Sequence, residues 1–226
     1  MTTTVEKQHP RPHLIAVTGG PGSGKSTTCR IMERLGIPVI DADGVVRGLV
    51  TPKSPVLALL TTRFGPSILQ KDGSLNRKAL LDLILFDVEA RRFVEKTVHP
   101  EVRTKIHQSA QELAISGHEI VAVEVPLLFE KGWEKDFDHV LAVIAPEETC
   151  IERIARRKGI SLETARKLVS IQMPQDEKAR RADTVITNES GIEQLEEKVA
   201  DFIQRVRNEA SKQAHHATLL APNETV

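Results

Sequence analysis

The chain has 226 residues, room for one domain with insertions or for a core carrying a smaller subdomain, and its 31 Lys and Arg balance 31 Asp and Glu. Zero formal net charge excludes a global basic field for nucleic acid, and six Phe, one Trp and no Tyr make poor stacking platforms for single strands. Cys29 and Cys150 lie in unrelated segments, which points to reduced thiols in a cytosolic protein, and no apolar leader or apolar run of about 18 residues argues for secretion or a membrane span.

Met1 to Arg11 is polar and reads as a loose leader. Leu14-Ile15-Ala16-Val17-Thr18 is a short apolar run that predicts a buried strand. Gly19-Gly20-Pro21-Gly22-Ser23-Gly24-Lys25-Ser26 follows and fits G-x-x-x-x-G-K-[ST], the Walker A phosphate-binding loop. Ser26 to Leu35 can form the helix this loop needs, with Ile31, Met32 and Leu35 on one side. Glycines let backbone N–H groups close on a phosphate chain, and the helix N-terminus adds a positive dipole end. Lys25 should reach the outer phosphates, and the Ser26 hydroxyl should ligate Mg²⁺.

Gly36-Ile37-Pro38-Val39-Ile40 turns into a second short strand that ends in Asp41-Ala42-Asp43. Sites in open α/β sheets lie beyond the carboxyl ends of strands, so these two carboxylates are placed for chemistry. One of them can take a proton from an attacking hydroxyl or hold Mg²⁺ water; the other use of an Asp here is to cap the next helix. Residues 44–118 read as mainly helical, broken at Thr51-Pro52-Lys53-Ser54-Pro55 and turned at Lys71-Asp72-Gly73-Ser74. Asn76 can cap Arg77 to Phe86, and Glu89 to Ser116 is expected to be helical with an interruption at His99-Pro100. So long an insert exceeds a plain crossover, and it is either a substrate-binding subdomain or extra packing.

Glu119 to Val125 is a third, almost wholly apolar strand, and Glu124 near its end is like a Walker B carboxylate that holds Mg²⁺ indirectly. Pro126-Leu127-Leu128-Phe129-Glu130 is a rigid turn, and Trp133 reads as packing. Asp138 to Ile144 is a fourth strand, and Pro146-Glu147-Glu148 opens a helix with acids at its positive end. Arg153 and Arg157 share one face of that helix at i, i+4; beside an expected phosphate donor they read as a clamp rather than a solvated face. Ser161 can cap a helix through Ile171, Gln172 to Arg181 is polar and charged, and Asp183 to Thr187 is a last strand ending at Asn188. Ile192, Leu195, Val199, Phe202 and Val206 mark a closing core helix, and from Asn208 the pattern stops, which predicts a loose tail.

Taken together these segments resemble the dephospho-CoA kinase family over Leu14 to Val206. The resemblance rests on Thr18 to Thr27, Ile37 to Asp43, Phe64-Gly65, Gly73 to Arg77, His99-Pro100, Val125 to Glu130 and Ala182 to Asn188. It implies an α/β fold of the P-loop, nucleoside-monophosphate-kinase-like type: a five-stranded parallel sheet flanked by helices, with a helical substrate-binding insert and a helical lid. One kinase domain would span 12–207, its core at 12–43, 119–148 and 183–207, its acceptor-binding insert at 44–118 and its lid at 149–182; 1–11 and 208–226 would be loose.

The implied activity is transfer of the ATP γ-phosphate to the ribose 3′-hydroxyl of dephospho-CoA, the last step of coenzyme A synthesis. By the same resemblance Asp43 is the base at that hydroxyl. Gly20, Gly22, Ser23, Gly24, Lys25, Ser26 and Thr27 hold the ATP phosphates, with Mg²⁺ on Ser26 and Glu124. Arg77 and His99 lie on the acceptor side, Arg153 and Arg157 come from the lid, and Asn188 sits near the adenine. Gln172 and Lys178 match the family's polar segment between lid and core.

Pro21, Asn76, Lys158 and Gln175 depart from the family pattern, at positions where an aliphatic residue, Asp, an acid and Arg respectively are usual. The expected partners are ATP and dephospho-CoA, with no nucleic acid and no membrane, in a cytoplasmic monomer or weak oligomer. The competing readings are another small-molecule kinase of the same fold and a nucleotide-binding regulator without turnover. A GTP switch would want Asn-Lys-x-Asp after a strand, and the chain has none.

Overall fold

The structure, a computed structural model, describes residues 11–220. The expected leader Met1 to Arg11 lies outside them except for Arg11, as does the end of the expected tail after Leu220. Five strands form one parallel sheet in the order β2-β3-β1-β4-β5: β1 His13–Thr18, β2 Val39–Asp41, β3 Ile120–Glu124, β4 His139–Ile144 and β5 Thr184–Thr187. β1 is central, paired with β3 from His13 opposite Ile120 to Val17 opposite Glu124, and with β4 from Ile15 opposite His139 to Thr18 opposite Ala142. The order reverses at β1, and a crevice opens at the carboxyl ends of strands where that happens.

Helix α1 (Lys25–Arg34) follows the loop after β1, and α9 (Ile192–Leu220) follows β5. Ile15 and Val17 pack in one cluster with Cys29, Ile31 and Met32 of α1 and with Leu195, Val199, Phe202 and Val206 of α9. The alternate residues Leu14 and Ala16 are buried too, so β1 is covered on both faces. Between β4 and β5 come α6 (Glu147–Lys158), α7 (Leu162–Ser170) and α8 (Gln175–Arg181). Ile151, Ile154 and Ala165 make a second small cluster joining α6 to α7. Ser161 caps α7 as expected, accepting from the Thr164 N–H at 3.1 Å.

The chain divides into two compact units, one of residues up to Val39 and from Leu113 onward, the other Ile40–Glu112. The second unit contains α2 (Ala42–Leu49), α3 (Pro55–Phe64), α4 (Arg77–Phe86) and most of α5 (Val88–Ile115). Asn76 caps α4 as its spacing predicts, accepting from the Ala79 N–H at 3.1 Å. Val56, Leu57, Leu60, Ile68, Leu80, Val98, Val102 and Ile106 are among its buried apolar side chains.

Two expectations are corrected. The helix expected to break at His99-Pro100 is continuous, with Pro100 inside α5. Proline forfeits one backbone bond and costs about 3 kcal/mol, but Val98, Val102 and Ile106 are buried on one stripe and each such burial returns about 1.5–3 kcal/mol. Gln172 to Arg181, polar and charged and within the expected helical lid, contains α8. α9 runs on to Leu220, past the Asn208 limit set by its apolar stripe. The segment from Glu209 to Leu220 carries three Ala, two Leu, one Glu, one Lys and one Gln, residues of high helix propensity.

Candidate active site

The loop after β1 is held by its neighbours and by its own lysine. Gly24, the N-cap of α1, has φ 107°, and a Cβ on it would lie 2.2 Å from Asn188 Nδ2. Gly22 has φ 78°, and a Cβ there would lie 2.6 Å from the Cys150 carbonyl. Both positions need left-handed backbone and both are closed to a methyl group. Asn188, buried at the end of β5, donates its amide N–H to the Ser23 carbonyl at 2.8 Å and its backbone N–H to Ile144 at 2.8 Å. Arg153 of α6 donates to the carbonyls of Gly22 at 3.3 Å and Asn188 at 3.5 Å. Thr27 and Thr28 donate backbone N–H to the Gly24 carbonyl at 3.0 and 2.9 Å, which starts α1.

Lys25 is buried, with its ammonium on the carbonyls of Gly19 at 3.0 Å and Gly20 at 2.8 Å. Burial pulls its pKa from 10.5 down to about 8, and the nearby Glu124 charge works against that fall. Ser26 is exposed, and its hydroxyl donates to Glu124 Oε1 at 2.9 Å. A hydroxyl and a carboxylate oxygen side by side at the mouth of a phosphate loop are hard donors of the kind Mg²⁺ uses. Among the described residues no cluster of three or more His, Cys, Asp or Glu could hold a metal by itself. Cys29 and Cys150 are both free and buried, and burial pushes each thiol upward, away from reactivity.

Of the site residues read from the sequence, the first unit therefore gathers Gly20, Gly22, Ser23, Gly24, Lys25, Ser26, Thr27, Glu124, Arg153 and Asn188 around one loop. Arg157, one turn beyond Arg153 on α6, is exposed. In the second unit Asp41 occupies the N-cap position of α2 but makes no cap bond; it accepts from Arg47 Nη2 at 2.7 Å. Gly44 leaves room for that pair, since a Cβ there would sit 2.8 Å from Asp41 Oδ2. Asp43 lies in the first turn of α2 and is exposed, as is Arg77 at the start of α4; His99 is half-buried within α5.

Sequence reasoning undervalued Gln175, Lys178 and Glu130. Gln175 Oε1 accepts from the Ala145 N–H at 3.1 Å and its Nε2 donates to the Ala145 carbonyl at 3.0 Å. Lys178 is wholly buried, and its ammonium meets Pro126 O and Glu130 Oε1, each at 2.8 Å. The available signal was the three-residue spacing of Gln175, Lys178 and Arg181, which shares a helix face.

A glycine-walled loop with a buried lysine, at the carboxyl end of the central strand of a parallel sheet, defines a phosphate-loop nucleotide-binding protein. The family model for dephospho-CoA kinase matches residues 13–194. A dephospho-CoA kinase of Symbiobacterium thermophilum is 39% identical over 82% of this chain and 78% of its own. Another, of Anaeromyxobacter dehalogenans, is 40% identical over 80% of this chain and 86% of its own. The dephospho-CoA kinase of Campylobacter jejuni has a solved structure with TM-score 0.64 and 28% identity, covering 85% of this chain and 96% of its own. A Thermus thermophilus crystal structure reaches TM-score 0.75 and 34% identity, covering 86% and 98%. The chain belongs to the dephospho-CoA kinase family, whose members are ATP-dependent kinases.

Proposed function

We propose that the protein transfers the γ-phosphate of ATP to the ribose 3′-hydroxyl of dephospho-CoA, with Mg²⁺ as cofactor. Beyond family membership, the observation that carries this is the Ser26–Glu124 contact of 2.9 Å beside the buried Lys25. Phosphoryl transfer asks a protein for alignment and charge compensation more than for covalent chemistry. Ser26 would ligate Mg²⁺ and Glu124 would hold it through water. When bound, the ion supplies positive charge to the β- and γ-phosphate oxygens. Lys25 leaves the Gly19 and Gly20 carbonyls for the outer phosphates, and the backbone N–H groups of Gly22 to Thr27 hold the chain of phosphates. Arg153 adds charge where the transferred group gathers it, with Arg157 as a second lid cation. Asn188 serves by fixing the Ser23 carbonyl, and so the curve of the loop, at the adenine side.

The Ile40–Glu112 unit takes the acceptor in this proposal, with Arg77 and His99 as binding groups. Asp43 orients the 3′-hydroxyl and accepts its proton late in transfer. Asp41 is less suited to that duty because Arg47 already holds its carboxylate. A cytoplasmic monomer or weak assembly belongs to the same proposal. Among the described residues no helix is long and apolar enough to cross a membrane.

The test is ADP release from ATP–Mg²⁺ with dephospho-CoA, beside adenosine, AMP and pantetheine phosphate as rival acceptors. Release with dephospho-CoA alone, and a product heavier by one phosphate, is the expected result. Preference for a rival acceptor would discard the proposed substrate.

A further inference from the structure

The run Pro126-Leu127-Leu128-Phe129-Glu130 is unusual in sequence, and the chemistry above gives it no duty. Its structural surroundings supply one. The helix α8 has the sequence Gln-Asp-Glu-Lys-Ala-Arg-Arg, with nothing apolar but Ala179 to dock it. It is fastened instead by three polar side chains three residues apart. Gln175 forms a two-way amide pair with Ala145, at 3.1 and 3.0 Å. Lys178 binds Pro126 O and Glu130 Oε1. Arg181 pairs with Glu134 and lies 4.5 Å over the Phe129 ring. Pro126, Phe129 and Glu130 are thus receptors for α8. Glu130 Oε1 also accepts from the Met173 N–H at 3.1 Å, just ahead of that helix.

The fastening reaches the phosphate loop by two routes. Pro126 O accepts from Thr18 Oγ1 at 3.4 Å, and Thr18 is the last residue of β1. The chain of Gln175 lies against Gly20, where a Cβ would come within 2.8 Å of Gln175 Cγ. Gly20 is also a carbonyl that holds Lys25. A lysine with no exposed surface is an expensive way to pack a helix, because an apolar pair of the same size is commonly as stable or more so. A buried ammonium with a single carboxylate partner does fix where its two elements meet, because leaving that ammonium unpaired in a misplaced arrangement is costly.

We propose that the Lys178–Glu130 ion pair positions α8 so that Gln175 walls the phosphate loop at Gly20, which makes Lys178 and Glu130 positioning residues for the ATP phosphates. This rests on the ATP-binding reading above but not on the identity of the acceptor.

The experiment uses the full chain and reads ATP–Mg²⁺ affinity by calorimetry and thermal unfolding in parallel. Glu130→Gln leaves the wholly buried Lys178 ammonium without its counter-charge, and Lys178→Met removes the group that ties α8 to Pro126 O and Glu130, so each lowers the unfolding temperature and weakens ATP binding about tenfold. The Lys178→Met/Glu130→Gln double variant removes both charges. It should recover the unfolding temperature while ATP binding stays weak, and it still decides the matter where a single variant fails to fold. Gln175→Ala should weaken ATP binding to a similar degree, with no further loss when Lys178→Met is added. Wild-type ATP affinity in the double variant would overturn the proposal and leave the pair a packing element only. Strictly additive losses from Gln175→Ala and Lys178→Met would overturn the route through Gln175. Wild-type protein that binds ATP yet leaves dephospho-CoA untouched would sink the proposed substrate and leave this inference standing.

Discussion

The phosphate loop and the start of α2 both hang from the carboxyl end of a strand, yet they are built in opposite ways. Around the loop nearly every contact is to backbone. Lys25 is folded onto two carbonyls, Asn188 holds a third, and the glycines abut neighbours that leave no space for a methyl group. At the start of α2 the carboxylates are exposed side chains. Asp43 stands in solvent, and the Asp41–Arg47 pair is about half-exposed on each side. Contacts onto backbone carbonyls fix the course of the chain, whereas an exposed carboxylate contributes its charge and little structure. The loop should therefore be intolerant of added bulk and the α2 start intolerant only of a changed charge.

The largest effect expected from breaking that contrast is at Asp43. Asp43→Asn keeps the volume and removes the proposed base, so turnover should fall about 10²–10⁴-fold while ATP affinity and unfolding temperature hold. Asp41→Asn should cost much less turnover, since Arg47 already occupies that carboxylate. Steady-state kinetics beside ATP calorimetry separates the two, and normal turnover in Asp43→Asn would remove it as the base. Gly24→Ala probes the other region. It asks for φ near 107° with a methyl 2.2 Å from Asn188 Nδ2. Left-handed strain and the loss of the Asn188–Ser23 bond together should cost about 3 kcal/mol in urea unfolding and weaken ATP binding. Unchanged ATP affinity in that variant would mean that the loop is not set by its neighbours.

The same contrast explains what could be read in advance. The strand, glycine loop and helix were legible because the signal there is local: φ requirements, an apolar run and a helix start all fall in one short stretch. The Asn76 and Ser161 caps were legible for the same reason, each being a bond to a backbone N–H three residues on. The α8 fastening was not. Lysine is ordinarily exposed, so nothing in Gln172 to Arg181 says that Lys178 has no exposed surface; that follows from Pro126 and Glu130, which are far away in sequence. Pro100 misled for a related reason. Its local cost is readable, but the burial of Val98, Val102 and Ile106 that overrides it is a property of the packed unit. Asp41 fell between the two cases: its N-cap position was legible, and its choice of Arg47 over the cap was not.

The smallest expected effect lies in the sheet itself, away from both regions. His139 begins β4, and its Nε2 lies 2.9 Å from Thr184 Oγ1 on β5, while its ring sits 5.3 Å from that of Phe202 on α9. Burial holds its pKa below the ordinary 6.5, and the Asp183 charge opposes that fall. The unfolded chain therefore binds more protons than the folded one in the window just below 6.5. Stability must rise with pH across that window, be complete above 6.5, and be lost as the solution is acidified toward the lowered folded value. Carboxylates add their own slope at lower pH, so the comparison is between wild type and His139→Gln, which keeps an amide able to reach Thr184. Urea unfolding from about pH 5 to 7 should show a steeper rise in the wild type than in the variant, where only the carboxylate part remains. Equal slopes would mean that His139 is as accessible to protons in the folded sheet as in the open chain. In that case the packing of Phe202 over β4 is looser than its ring distance implies.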